Sequence, residues 1–177
     1  MDHTDHVALL RPAVPVGGIW ADIGAGDGAF TLALADLLGP GGRVVALDRD
    51  GAALRRNAAT VASRFPAVVL ETMSGDLTGP LDLPTLDGLV AANSLHFVPR
   101  DRQVGIVGAL ATHLRPGGAF IVVEYDADHG NPWVPHPFGH EAWRRMAEAA
   151  GLTGTRLLGR VPSRFLGAIY SAVSYRP

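Results

Sequence analysis

Short apolar runs alternate along the chain with longer stretches of helical character, and the two kinds of segment follow one another almost without linkers. A first strand is predicted at about Gly18–Asp22, followed by a helix at about Ala29–Leu38 that ends at Gly39-Pro40-Gly41-Gly42. Arg43–Leu47 reads as a second strand stopping at Asp48, and an Ala-rich helix covers about Gly51–Arg64. Ala67–Thr72 and Leu86–Asn93 give strands three and four. A helix over about Arg100–Leu114 then reaches the Arg115-Pro116-Gly117-Gly118 turn, and Ala119–Glu124 is strand five. Residues 126–139, rich in Pro, His and Trp, form the longest irregular stretch. A helix at about Phe138–Ala150 and two β-like runs, Thr153–Arg160 and Gly167–Tyr175, bring the strand count to seven. Strands alternating with helices imply an α/β fold, a doubly wound and mostly parallel sheet with helices on both faces.

Composition bounds this picture without redirecting it. With 177 residues, 47% of them hydrophobic, the chain forms one domain with a good core. Residues 1–17 are expected as an N-terminal helix or lid, and 126–139 as a lid loop. No apolar run is long enough to span a bilayer, and the start of the chain lacks a signal-peptide layout, so a cytoplasmic protein is expected. The absence of cysteine removes disulfides, thiol nucleophiles and Cys-ligated metals. All 15 basic residues are arginine, so lysine chemistry is excluded too. A net charge of −2 without a basic block argues against a nucleic-acid partner. His129, His136 and His140 match no compact metal-ligand spacing, so no metal is expected.

Candidate chemistry gathers where such a sheet binds ligands, at the carboxyl ends of its strands. The Asp22-Ile23-Gly24-Ala25-Gly26-Asp27-Gly28 turn joins the first strand to an apolar helix. Its glycines permit a sharp turn and close backbone approach to a ligand. Asp48 ends the second strand, 20 residues beyond Gly28, the spacing at which a carboxylate reaches a ribose hydroxyl pair. Asp76 follows the third strand, and Asn93-Ser94-Leu95-His96 ends the fourth. Glycine spacing alone leaves the ligand open, because Gly24-x-Gly26-x-x-Ala29 also fits a dinucleotide loop.

Taken together, these motifs resemble class I S-adenosylmethionine-dependent methyltransferases. The resemblance rests on Asp22 with Gly24, Gly26 and Gly28, on Asp48 in Val45–Arg49, on Gly75-Asp76-Leu77, on Leu86–Phe97, and on Leu114–Gly118. It runs strongly from about Gly18 to Glu124, and implies that the last strand is antiparallel. It further implies that Asp22, Gly24, Ala25 and Gly26 approach the methionine part of the cofactor, and Asp48 the ribose. Gly75 and Asp76 would lie at the adenine amine, Arg49 and Leu77 on the adenine faces, and Asn93 and Ser94 under the reacting methyl. A methionine amino group suits Asp22, which would oppose a diphosphate.

The expected activity is in-line methyl transfer to a small-molecule acceptor. His96, Glu124 and Tyr125 are the candidate catalytic groups at the strand ends, His96 first because its ordinary pKa is near neutrality. Glu124 reads equally as a carboxylate positioning the strand-four loop. Strand four lacks the Asn/Asp-Pro-Pro-aromatic motif of amino-group methylases, and its end carries no carboxylate for a metal-dependent catechol methylase. Trp133 and Phe138 read as lid residues or as seals on the core edge, and an apolar lid could double as a homodimer surface. Phe30 reads as a core residue on the first helix. Arg160, Ser163 and Arg164 stand as candidates for an anionic substrate group. An NAD-dependent oxidoreductase and a non-catalytic scaffold remain the alternatives at this point.

Overall fold

The computed structural model describes every residue except Arg164. The elements in chain order are α1 (His3–Leu10), β1 (Ile19–Ile23), α2 (Ala29–Leu38), β2 (Arg43–Asp48), α3 (Gly51–Arg64), β3 (Val69–Ser74), β4 (Leu86–Ala92), α4 (Arg100–Ala111), β5 (Leu114–Tyr125), α5 (His140–Ala149), β6 (Thr153–Pro162) and β7 (Ala168–Tyr175). Side chains set several of these boundaries. Asp2 and Asp5 form a reciprocal capping box on α1. Asp50 caps α3 by accepting the Ala52 and Ala53 N–H groups.

Seven strands form one sheet in the order β3-β2-β1-β4-β5-β7-β6. The first five are mutually parallel, while β7 runs antiparallel to both β5 and β6. The α/β class, the mostly parallel sheet and the antiparallel last strand therefore stand as read from sequence. Boundaries shift for identifiable reasons. Phe65–Val68 closes a turn, so strand three begins at Val69 instead of Ala67. The Arg115–Gly118 segment is a register irregularity inside β5, since Leu114 already pairs with Leu86 before pairing resumes at Gly88 and Ala119.

Alternate residues of the central strands feed two cores, as strand geometry requires. Ile23, Leu47, Leu89, Phe120 and Val122 pack with the helix residues Val107, Leu110 and Trp143 on one face. Trp20, Val44, Val90, Ile121 and Val123 pack with Leu9, Phe30 and Leu34 on the other. Phe30 is thus a core residue, its ring 4.8 Å from that of His6. The strand order reverses about β1, which pairs β2 on one side and β4 on the other. A crevice outside the carboxyl ends follows from that reversal. No helix among the described residues is long and apolar enough to cross a membrane.

Candidate functional site

The β1–α2 loop owes its shape to three glycines in the left-handed region: Gly24 (φ 79°), Gly26 (51°) and Gly28 (94°). The sheet fixes the start of this loop, because the Gly24 and Ala25 N–H groups both donate to Leu47 O, at 2.8 and 2.9 Å. A Cβ on Gly24 would sit 2.5 Å from Ser94 Cβ, so only glycine lets the loop meet the exit of β4. A Cβ on Gly28 would lie 2.2 Å from Asn57 Oδ1.

Beneath this loop runs a buried polar chain. Asn57 Nδ2 donates to Thr31 Oγ1 at 2.8 Å, and the Thr31 hydroxyl donates to Asp22 Oδ2 at 2.6 Å. All three residues are at most 1% exposed. Desolvation pushes the Asp22 carboxyl up to about 6, with the Thr31 hydroxyl opposing and the Asp48 charge adding to the rise. Thr31 and Asn57 are not legible as site residues in the sequence. Their only signal there is a polar side chain at a core-facing position of an otherwise apolar or Ala-rich helix.

Above the loop lies a cavity of about 280 Å³ lined by Gly24, Asp48, Arg49, Gly75, Asp76, Leu77, Asn93 and Ser94, together with Leu47, Thr78, Phe97 and Val98. Eight of the sequence candidates thus share one wall. Asp48 accepts the Gly26 N–H at 2.7 Å and the Asp50 N–H at 2.8 Å, which ties the end of β2 to the glycine loop. Asp76 accepts both the backbone N–H and the hydroxyl of Thr78, and these bonds hold its carboxyl below the usual range. Asn93, at φ 50°, is the non-glycine residue with positive φ among those described. Such backbone strain concentrates at ligand sites. Its Oδ1 and the Ser94 Oγ are buried without a hydrogen-bond partner.

Asp22, Ala25 and Gly26 do not line this cavity. Asp22 lies buried behind the loop, and the Ala25 side chain packs against Ala46 and Leu54. The three catalytic candidates converge, but inside the protein. His96 is 2% exposed, and its Nδ1 meets both carboxylate oxygens of the fully buried Glu124, at 2.8 and 2.9 Å. Glu124 also accepts the Tyr125 N–H at 2.8 Å, and the Tyr125 ring stands 5.8 Å from that of His96. Burial and the Glu124 charge both raise the Tyr125 hydroxyl's pKa. None of the three lines the cavity.

The 126–139 segment divides sharply. Phe138 is 1% exposed and stacks near Trp143, whereas Trp133 is 78% exposed at the tip of a turn closed by Asn131. Arg160 pairs with Asp126, and Arg164 lies outside the described residues. Among the described residues no group of three His, Cys, Asp or Glu is placed to hold a metal ion.

The polarity of these walls suits the cofactor implied by the motifs. The glycine loop leaves open space at Gly26, two carboxylates stand at the cavity, and two buried polar atoms lack partners beside it.

Residues 21–120, more than half of the chain, match the family model described as "Methyltransferase domain". A probable cobalt-precorrin-6B C(15)-methyltransferase (decarboxylating) from Thermoplasma volcanium is 41% identical over 49 residues. Those residues are 28% of this chain and 24% of the relative, so the chain matches about a quarter of that protein's length. Among solved structures, the 1,6-didemethyltoxoflavin-N1-methyltransferase of Burkholderia thailandensis, with S-adenosylhomocysteine bound, superposes with a TM-score of 0.77. It is 17% identical, over 99% of this chain and 78% of that one. A SAM-dependent methyltransferase from Aquifex aeolicus gives 0.75 at 18% identity, over 98% and 90%. At these identities the likeness is one of fold.

Proposed function

This chain belongs to the methyltransferase domain family, with the class I S-adenosylmethionine-dependent fold, and from that premise we propose that it transfers a methyl group from S-adenosylmethionine to a small-molecule acceptor. The observation that carries the reading is the placing of Asp48 and Asp76, with Gly24 and Ser94, around one cavity at the reversal of strand order. Asp48 suits a ribose hydroxyl pair and Asp76 an amine donor, and the NAD reading leaves Asp76 without a role.

When bound, the cofactor supplies a methyl group on a sulfonium, which a nucleophile takes by in-line attack as the carbon–sulfur bond breaks. The chain's own contribution is to hold both partners in line and dry. Asp48 accepts from the ribose hydroxyls, and Asp76 receives the adenine amine. Arg49, Leu47 and Leu77 flank the base, with Gly75 closing the wall behind it. Asn93 and Ser94 offer their unpartnered oxygens to the methionine part, and the Gly24–Gly26 backbone follows it, with Asp22 behind. His96 and Glu124 hold the exit of β4 in shape, with Tyr125 packed beside them. The Burkholderia neighbour, which shares this fold, is named for methylating a small molecule, and this supports a small acceptor.

Calorimetric titration with S-adenosylmethionine, S-adenosylhomocysteine and NAD⁺ tests the reading. The first two should bind, and Asp48→Ala should weaken both by about tenfold or more, the scale of one charge-assisted hydrogen-bond pair. NAD⁺ binding without either adenosyl ligand would overturn it.

A further inference from the structure

Two irregular segments meet beside the cavity, and one side chain joins them. The exit of β4 continues through a 3-10 turn at Leu95–Phe97 to Val98, and supplies Ser94, Phe97 and Val98 to the cavity wall. Residues 126–139 lie against this turn, since the His136 N–H donates to His96 O at 3.0 Å. Gln103, on α4 and 2% exposed, points its Nε2 at both segments. That one amide nitrogen lies 3.3 Å from Leu95 O, 3.2 Å from Val98 O and 3.0 Å from His136 O.

An amide carries two hydrogens, so the three carbonyls share them, and a buried carbonyl without a donor is unfavourable. Leu95 O also accepts the Val98 N–H at 3.0 Å within the turn. The contacts that tie the turn to the 131–136 stretch through Gln103 are therefore those to Val98 O and His136 O. On the turn's far side the His96–Glu124 pair holds His96 to the end of β5, and Arg100 Nη2 donates to Asp128 O at 2.6 Å. The stretch so anchored presents Trp133 at its tip, 78% exposed although its neighbour Val134 is 3% exposed.

We propose that Gln103 is a positioning residue for methyl transfer: through its three backbone acceptors it sets the 126–139 segment against the cofactor wall, so that filling the cavity and ordering that segment are linked. This rests on the cofactor reading above. Gln103 itself touches neither methyl donor nor acceptor. It acts through Leu95, Val98 and His136, and linkage makes the effect reciprocal.

Hydrogen exchange read by mass spectrometry tests it, with S-adenosylhomocysteine as the probe and Gln103→Leu and Gln103→Met as variants. Both remove the donors, and the second keeps the side chain's unbranched length. In the wild type the ligand should slow exchange in 93–98 and also in 131–136, by about threefold or more, the response of a coupled local opening. In either variant that folds, the ligand should still slow 93–98 while the effect on 131–136 disappears. A side chain that only fills space would leave the second response intact, and that result overturns the proposal. So does wild-type protein in which 93–98 responds and 131–136 does not, a result that needs no variant. If the ligand binds nowhere, the cofactor reading fails by itself. The unliganded comparison then decides on Gln103: faster exchange at 131–136 in the variants, by about tenfold, supports the clamp, and equal rates sink it.

Discussion

Asp22 keeps its carboxyl under the glycine loop with the Thr31 hydroxyl at 2.6 Å and almost no contact with water. Its pKa rises from 3.8 to about 6, so the folded protein binds this proton more tightly than the unfolded chain does. Between those two values stability therefore falls as pH rises, because deprotonation is harder in the folded state. At neutral pH the ionised group opposes folding by on the order of 3 kcal/mol. Asp2, Asp50, Asp76 and Asp87 are shifted downward and slope the other way, so the difference between wild type and Asp22→Asn isolates the contribution of Asp22. In urea denaturation from pH 4 to 7, wild type should lose stability relative to Asp22→Asn as pH rises, and a flat difference would contradict the burial argument. Asp22 is legible in the sequence as a motif carboxylate. Its perturbation is not, since that depends on Thr31 and Asn57 arriving from two helices to enclose it.

The loop between β1 and α2 shows how one element constrains another. All three of its glycines have positive φ, yet they face different surroundings. Gly28 abuts Asn57 of α3, with a would-be Cβ at 2.2 Å, while Gly26 faces open space. Gly28→Ala should accordingly lose about 2–4 kcal/mol, from the left-handed backbone penalty plus overpacking. Gly26→Ala should lose only about 1–2 kcal/mol, the backbone penalty alone. Chemical denaturation of the two variants measures the gap, and equal losses would mean that Asn57 moves aside freely. The alternating glycines are legible because their spacing is local. The reason each is needed is not, since Ser94 and Asn57 lie far away in sequence.

At the scale of the whole molecule, two cores sandwich the sheet, and the tryptophans report on different parts of it. Trp143 is fully buried against Phe120 and Phe138, whereas Trp133 stands outside both cores. Trp143→Ala should destabilise by about 3–5 kcal/mol, and Trp133→Ala by no more than about 0.5 kcal/mol, as expected of an exposed side chain. Thermal melts would separate them by about 5 °C or more at the roughly 2–4 °C per kcal/mol typical of this size. Strand count, strand and helix periods, the glycine loop and the polar strand ends were all written in the chain itself. Each depends on short-range spacing, and backbone geometry converts spacing into element and face. What only tertiary structure decided was which of those polar groups see the cavity. Asp48, Asp76, Asn93 and Ser94 line it, while His96 and Glu124 turn inward to pair with each other. Gln103, unremarkable on its helix, becomes the joint between two segments. Those outcomes depend on desolvation and hydrogen-bond geometry among residues brought together only by strand order, which no local pattern encodes.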